Sequence, residues 1–231
     1  MKRVVEEEIL DGLPEGDPDA MHTRRDILLI NGIMGNFRWL GRQLRKRVLE
    51  RDTGLEMGAG AGDLGFYLAR KGILPAGVRY EGLDLWSRPQ GWPEEWGWNQ
   101  EDATKLSSLP YDFVVGNLIF HQFEDEVLQE WGKLMRQYCR LILACEPVRH
   151  ERHLWQLQLL RPLRLNKISW HDARVSIRAG FRGMELPRLL GLAEPEWEVK
   201  VEETFFGSYR MCARRRGDIP GLVPETVGCP G

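Results

Sequence analysis

A short strand candidate that leads into closely spaced glycines and then into a helical pattern limits the architectures open to this sequence. Gly54–Met57 has the length of a buried strand. The glycines that follow are Gly58, Gly60 and Gly62, and the helical pattern begins at Leu64. Glycine lets the backbone turn sharply and approach a ligand closely, and the first turn of a helix presents free N–H groups. The segment therefore predicts a strand, a cofactor-binding turn and a helix.

Strand and helix candidates alternate along the rest of the chain. Further strand candidates are Arg79–Leu85, Gly97–Gln100, Tyr111–Val115 and Arg140–Cys145. The helix candidates are Leu64–Lys71, Glu124–Tyr138 and Glu151–Leu160. Two β-rich runs that meet at Gly207 predict a terminal antiparallel hairpin, Trp197–Phe206 with Ser208–Arg214. Because alternating strands and helices form a parallel sheet covered on both faces, we expect an α/β, Rossmann-like fold with a seven-stranded, mostly parallel sheet and a C-terminal antiparallel hairpin.

The two ends of the chain differ from this central pattern. Residues 1–50 are expected to form a polar lead-in and an N-terminal helical cap, because apolar residues recur at helical spacing from Arg24 to Glu50, with glycines that predict a break. Residues 51–215 are expected to form the α/β domain. The proline- and glycine-rich residues 216–231 show no periodicity and are predicted to be a mobile tail.

Composition narrows the class of partner. The formal net charge is -2 and the charges are interspersed, whereas nucleic-acid binding usually requires a basic surplus. The longest apolar runs are strand-sized, so no membrane span is expected. Neither a signal peptide nor a paired cysteine spacing is visible; the thiols are Cys139, Cys145, Cys212 and Cys229. A small-molecule partner and a reduced, cytoplasmic location are therefore predicted.

The glycine turn alone leaves two kinds of cofactor open. Its residues Gly60–Gly65 satisfy the dinucleotide pattern G-x-G-x-x-G, and Asp84 lies at about the distance of a ribose-binding acid. A nicotinamide oxidoreductase is thus one alternative. Glu56, however, precedes the first glycine, where it would repel a pyrophosphate but suit a ligand with an ammonium and a sulfonium. Asp102 is a second acid that can accept from an adenine amino group, and the terminal hairpin departs from an all-parallel dinucleotide fold.

With these motifs in this order, residues 54–214 resemble the class I S-adenosylmethionine-dependent methyltransferases of the bacterial small-molecule type. The resemblance implies S-adenosylmethionine as the cofactor and a lid insertion at about 163–193. It places the methionine part against the first motif, through Glu56, Gly58, Ala59, Gly60 and Gly62. It assigns the ribose to Asp84 with Leu85, the adenine to Asp102 with Ala103, and the border of the reacting centre to Asn117 and Leu118.

One segment departs from that family. Between Asp84 and Asp102 the family has a regular helix, but here Pro89 and Pro93 prevent a long one. The segment instead carries Trp86, Trp92, Trp96 and Trp98. These rings either fill the space left by the missing helix or wall an adenine pocket.

Candidate catalytic bases are His121, just after the fourth strand, and His171, beside Asp172. The alternatives are a packing or capping role for His121 and an N-cap role for Asp172. His150 and His153 have i,i+3 spacing and could bind a metal together with Glu146, but two histidines at a helix start are more often solvated, so no metal is predicted.

Two further segments bear on the predicted pocket for the methyl acceptor. The lead-in helix offers Asn31, Met34 and Trp39 as pocket residues or as plain packing. The turn after the fourth strand, residues 117–120, lacks the Asn/Asp-Pro-Pro-Tyr/Phe motif of amino-methylating enzymes, which disfavours methylation of a base amino group.

The leading hypothesis is methyl transfer to an oxygen of a phenolic, quinone-like or polyketide-like metabolite by a monomer or homodimer. The alternatives are an NAD(P)-dependent oxidoreductase and a catalytically inactive cofactor-binding scaffold of the same fold.

Overall fold

The computed structural model describes residues 1–14, 16–163 and 165–217, which fold around one seven-stranded sheet. The strands are β1 (Thr53–Met57), β2 (Arg79–Asp84), β3 (Gly97–Gln100), β4 (Phe113–Asn117), β5 (Leu141–Pro147), β6 (Trp197–Glu203) and β7 (Ser208–Arg215). Their order across the sheet is β3-β2-β1-β4-β5-β7-β6. The first five pair in parallel, and β7 is antiparallel to both β5 and β6. The predicted fold class, with its C-terminal hairpin, is confirmed.

Helices flank this sheet and form the N-terminal cap. They are α1 (Pro18–Met34), α2 (Asn36–Arg47), α3 (Asp63–Arg70), α4 (Asp125–Tyr138), α5 (Glu151–Gln158), α6 (Lys167–Ala179) and α7 (Glu185–Leu189). The predicted break in the cap occurs at Gly35, whose φ of 68° ends α1. The helix α1 begins earlier than the apolar pattern indicated, because Asp17 caps it and Pro18 occupies its first turn.

The sheet separates two apolar cores, because side chains alternate between its faces. In β4, Val114 belongs to one core, whereas Phe113 and Val115 belong to the other. The strand β5 is buried along its whole length, and its side chains also alternate between the two cores. Each large side chain that is fully buried in this manner contributes roughly 1.5–3 kcal/mol relative to exposure.

The tryptophan-rich segment between β2 and β3 fills one of these cores. Trp92 and Trp96 are buried beside Tyr80, whose ring centroid lies 4.8 Å from that of Trp96. The indole N–H of Trp92 donates to the carbonyl of Gly97 at 3.1 Å, so the buried ring has its polar atom satisfied. These two rings therefore pack as part of the core that contains Tyr80.

Three cysteines, Cys139, Cys145 and Cys212, are buried free thiols. Within the described residues, no helix is long and apolar enough to cross a membrane. Cys229 and most of the predicted mobile tail, from residue 218 onward, lie outside the described residues.

Candidate active site

The glycine turn follows β1 and adopts a backbone that glycine favours. Gly58, Gly60 and Gly62 have φ values of 64°, 56° and 78°, in the left-handed region where a Cβ atom is strained. A Cβ atom at position 58 would also lie 2.5 Å from the side chain of Ile119. At position 60, by contrast, a Cβ atom would meet nothing within 4 Å. The turn is thus tightly packed against Ile119 at Gly58 and open at Gly60.

Glu56 lies in β1 immediately before this turn and is buried. Its Oε2 accepts a hydrogen bond from the hydroxyl of Tyr80 at 2.9 Å. Burial raises the pKa of Glu56 to about 8, and the charges of Asp63 and Asp84 act in the same direction. The residue is therefore a neutral acid at pH 7 in the free protein.

Asp84, at the end of β2, binds the glycine turn directly. Its carboxylate accepts the backbone N–H of Gly60 at 2.7 Å and that of Trp86 at 3.1 Å. Burial raises the pKa of Asp84, although these hydrogen bonds and the charge of Arg24 oppose the shift. The predicted ribose-binding acid and the glycine turn thus lie side by side. The neighbouring Leu85 is largely exposed.

Asp102 and Ala103 follow β3, next to the end of β2. The backbone N–H of Glu101 donates to the carbonyl of Asp84 at 3.0 Å, which brings the two strand ends together. Asp102 caps a short 3-10 helix by accepting from the N–H of Thr104 at 2.9 Å, and it also accepts from the Thr104 hydroxyl at 2.7 Å. The hydroxyl bond first, and then the N–H bond, lower the pKa of Asp102. The carbonyl of Ala103 accepts from the indole N–H of Trp131 at 3.0 Å.

The end of β4 carries two unusual features beside the glycine turn. The register pairs Gly116 with Met57, so Asn117 lies level with the start of the turn. Within the described residues, the buried Oδ1 of Asn117 has no hydrogen-bond partner, which is uncommon for a buried polar atom. Leu118 has a φ of 61° although it is not glycine. Such strain costs roughly 1–3 kcal/mol and clusters at functional sites.

A buried chain of three ionisable groups lies beyond β4. The Nδ1 of His121 is 2.6 Å from Oε2 of Glu146, and its Nε2 is 3.3 Å from Oε1 of Glu8. Burial alone would lower the pKa of His121, but the hydrogen bonds and charges of the two carboxylates outweigh it and raise the pKa to about 9. His121 is thus an imidazolium at pH 7.

The two carboxylates have different anchors. Glu146, at the end of β5, accepts backbone N–H groups of Ile119 and Phe120 at 3.1 and 3.0 Å. Glu8 comes from the other end of the chain and also accepts from Ser176 on α6. Glu146 therefore belongs to the sheet and is bonded to the turn that carries His121, whereas Glu8, the second partner of His121, belongs to the N-terminal residues.

Residues 1–12, here called the N-terminal segment, are held over the carboxyl ends of β4 and β5. Arg3 donates to the carbonyls of His121 and Phe123. Asp172, within α6, accepts the backbone N–H groups of Ile9 and Leu10, each at 3.0 Å. Asp172 is therefore not the N-cap of a helix, as one reading of the sequence had it; Asn166 caps α6.

The other histidines lie apart from this network. His171 is half-exposed on α6, with Nδ1 3.0 Å from Oδ1 of Asp172. His150 caps α5 by accepting the N–H of Arg152, and the Nδ1 of His153 lies 2.6 Å from Gln156. In the described part of the chain, no group of three His, Cys, Asp or Glu residues is arranged to hold a metal ion.

The predicted pocket residues of the lead-in helix are buried in the cap. Asn31 accepts from the amide of Asn36 at 3.0 Å, and Trp39 packs in the core that contains Tyr80. A residue of α1 that was not predicted, Arg24, lies over the ring of Trp86 and acts electrostatically on Asp84. The cap therefore reaches Asp84 through Arg24.

Sequence reasoning also did not anticipate Glu8 as a partner of His121. Glu146 was considered only as a metal ligand, although a carboxylate inside the fully buried β5 was a usable signal, since such a group requires several donors. Glu8 sits in a polar lead-in without periodicity, and its contact with His121 spans 113 positions. No local pattern points to it.

No family model and no curated protein matches this sequence. Solved structures are similar in fold. The plantazolicin methyltransferase BamL, in complex with a triazolic desmethylPZN analogue and SAH, has a TM-score of 0.65 at 11% identity, over 89% of this chain and 92% of its own. The plantazolicin methyltransferase BpumL, with a pentazolic analogue and SAH, has a TM-score of 0.62 at 13% identity, over 87% of this chain and 92% of its own.

A third similar structure is larger than this chain. The pyocyanin biosynthetic protein PhzM has a TM-score of 0.57 at 15% identity, over 90% of this chain but 62% of PhzM. Together with the strand order and the antiparallel hairpin, these likenesses show that the chain has the class I S-adenosylmethionine-dependent methyltransferase fold.

Proposed function

We propose that this protein is an S-adenosylmethionine-dependent methyltransferase that acts on a small molecule. The observation that carries the proposal is the meeting of three features at one edge of the sheet: the open glycine turn, Asp84 bonded to it, and the unpartnered Oδ1 of Asn117. In open α/β sheets, ligands bind outside the carboxyl ends of the strands, where the strand order reverses. That reversal falls between β1 and β4.

The residues present fit this cofactor. Gly60 leaves room for a ligand against its Cα, and Asn117 offers a buried acceptor that lacks a donor. Glu56 is a neutral acid in the free protein, and a cationic ligand nearby would favour its ionised form. We assign the methionine part to Glu56 and the glycine turn (Gly58, Ala59, Gly60 and Gly62), the ribose to Asp84 and Leu85, the adenine to Asp102 and Ala103, and the reacting centre to Asn117 and Leu118.

The cofactor, when bound, supplies an electrophilic methyl group. The protein has to align an acceptor with that group and remove the proton of the acceptor oxygen. We propose His121 as the base for an acceptor oxygen of a phenolic, quinone-like or polyketide-like molecule. Glu146 holds its Nδ1, so Nε2 is the nitrogen that faces an acceptor once Glu8 withdraws. Losing one carboxylate lowers the pKa of His121 toward the range of a base. A catalytic role for His171 stays a prediction.

Calorimetric titration with S-adenosylhomocysteine (SAH) tests the proposal, with two matched glycines as variants. Gly60 and Gly72 have φ values of 56° and 51°, and a Cβ atom at either position would meet nothing within 4 Å. Gly60→Ala and Gly72→Ala therefore strain the protein alike, but only the first places a methyl group in the proposed cofactor site. We expect micromolar binding by the parent protein and Gly72→Ala, and at least about a tenfold loss in Gly60→Ala.

Three results would count against the proposal. The first is equal binding by the two variants, since it would place SAH away from the turn. The second is binding of NADH without binding of SAH, which would favour the nicotinamide oxidoreductase instead. The third is SAH binding without methyl transfer to any acceptor fraction, which would favour the inactive scaffold.

A further inference from the structure

A surface groove with a basic lining lies between α6 and the turn that follows α5. Its cavity measures about 440 Å³. One wall is formed by residues at helical spacing on α6, namely Lys167, Trp170, His171, Arg174 and Arg178. Arg161 borders it from the turn after α5, and Glu6 from the N-terminal segment. The groove thus gathers positive charge in a chain whose formal net charge is -2.

The cations that line this groove are not ion-paired in the described part of the chain, although Glu6 also lines it. The side chains of Arg161, Lys167, Arg174 and Arg178 form neither a hydrogen bond nor an ion pair there. Other arginines do have such partners: Arg3, Arg140, Arg149, Arg210 and Arg214 each lie against a carboxylate. Guanidinium groups bind phosphates and carboxylates through paired, charge-assisted hydrogen bonds. The groove is therefore complementary to an anion.

The groove lies beside the N-terminal segment, which carries Glu8, the second partner of His121. Glu6 lines the groove and Glu8 bonds to His121, and the Cα atoms of two residues so close in sequence are at most about 7 Å apart. On α6, Asp172 and Ser176 hold the N-terminal segment, while the adjacent stripe of the same helix faces the groove. A molecule in the groove therefore lies beside the segment that covers His121.

We propose that this groove holds the anionic group, a phosphate or a carboxylate, of the methyl acceptor. The inference rests on the proposed methyltransferase function and names the chemical class of its acceptor. Arg174 and Arg178 bind the anion, with Lys167 and Arg161 adding charge. Trp170 offers a partly exposed ring against which an apolar or aromatic part of the acceptor packs.

Titration with simple anions tests the groove independently of any methyl transfer. Pyrophosphate and citrate are the probes for a phosphate and for a carboxylate. The variant Arg174→Gln/Arg178→Gln removes two charges from the groove, and Arg38→Gln/Arg42→Gln removes two exposed charges from α2 as the matched control. We expect saturable binding of at least one probe, weakened about tenfold or more in the groove variant and less than twofold in the control.

Equal weakening in the two variants would overturn the proposal, because it would reflect net charge alone. Absence of saturable binding of either probe would also overturn it. So would binding to vesicles that contain phosphatidylglycerol without binding of either probe, since the source of the anion would then be a lipid surface.

A second measurement tests whether the anion belongs to the acceptor. A cell metabolite extract is separated on an anion exchanger, and each fraction is incubated with the protein and methyl-labelled S-adenosylmethionine. We expect label in the retained fraction, with a raised KM and an unchanged kcat in the groove variant. Label only in the unretained fraction overturns the assignment to the acceptor, while the methyl transfer itself upholds the proposed function. Label in neither fraction contradicts the proposed methyltransferase function and, with it, the assignment that rests on it.

Discussion

At the scale of single residues, the candidate site combines two groups whose ionisation is shifted in ways that oppose their usual state at pH 7. His121 is charged because Glu146 and Glu8 enclose it, and Glu56 is neutral because it is buried. Both shifts link stability to pH, and each has a sign that follows from the folded and unfolded pKa values.

For His121, the folded pKa of about 9 lies above the ordinary value of 6.5. Its stabilising contribution is therefore complete below pH 6.5 and is lost as the pH rises to about 9. We expect His121→Gln to abolish this part of the pH dependence and to be destabilised by roughly 1 kcal/mol or more at pH 6. The free energy of unfolding, obtained from urea titrations at pH 6, 7.5 and 9, measures this pH dependence. The control, His22→Gln, removes an exposed histidine on α1; the same slope in both variants would refute the expectation.

For Glu56, the folded pKa of about 8 lies above the ordinary value of 4.5. The unfolded chain releases this proton above pH 4.5 whereas the folded protein keeps it, so stability falls between pH 4.5 and 8. Glu56→Gln retains an acceptor for the Tyr80 hydroxyl and removes the titration. We therefore expect the variant to gain stability relative to the parent as the pH rises from 4.5 to 8. A constant difference across that range in denaturant unfolding would contradict this.

At the scale of elements, the N-terminal segment and α6 act as one unit over the site. Asp172 accepts two backbone N–H groups of the segment, as a side chain does at the start of a helix, although it comes from a distant part of the chain. The segment has no core of its own, so its placement depends on a few polar contacts.

Asp172→Asn is expected to loosen the segment without affecting the sheet. The amide keeps one oxygen acceptor but loses its charge, which costs about 1–2 kcal/mol for such hydrogen bonds. Amide hydrogen exchange at Ile9 and Leu10 should accelerate about tenfold. The matched control is Asp26→Asn, since Asp26 binds the start of α6 through Asn166 and Ser169 and has no hydrogen bond to the segment among the residues that the structure describes. Unchanged protection at Ile9 and Leu10 would disprove this role.

At the scale of the whole molecule, the sheet separates two cores, and the tryptophan-rich segment completes one of them. Local patterns made the sheet predictable: glycines at the turn, buried apolar runs and the hairpin at Gly207. The strand boundaries differ from the predicted ones where pairing with a distant strand determines the end of a strand. The fourth strand begins at Phe113, not Tyr111, because Tyr111 turns back to the carbonyl of Leu109, and it extends to Asn117 through pairing with Cys145.

Trp96→Ala tests the role of that segment in the second core. Removing a buried tryptophan leaves a cavity beside Tyr80, and such truncations cost about 3–5 kcal/mol. Trp155→Ala removes a ring that is 78% exposed and serves as the control, with a change within about 0.5 kcal/mol. The free energy of unfolding from urea titration distinguishes them. Similar values for the two variants would mean that Trp96 does not stabilise this core.

The route by which the site is completed follows from where Glu8 and Ser176 lie in the chain. They are hydrogen-bonded although 168 positions separate them. A ribosome adds about 5–20 residues per second, so Glu8 is made roughly 8–30 s before its partner on α6 exists. Glu8 and His121 are therefore both made before α6 (Lys167–Ala179), which supplies Ser176 and Asp172, exists. Until α6 emerges, the N-terminal segment lacks the hydrogen bonds that hold it in place, although Glu8 itself is already present.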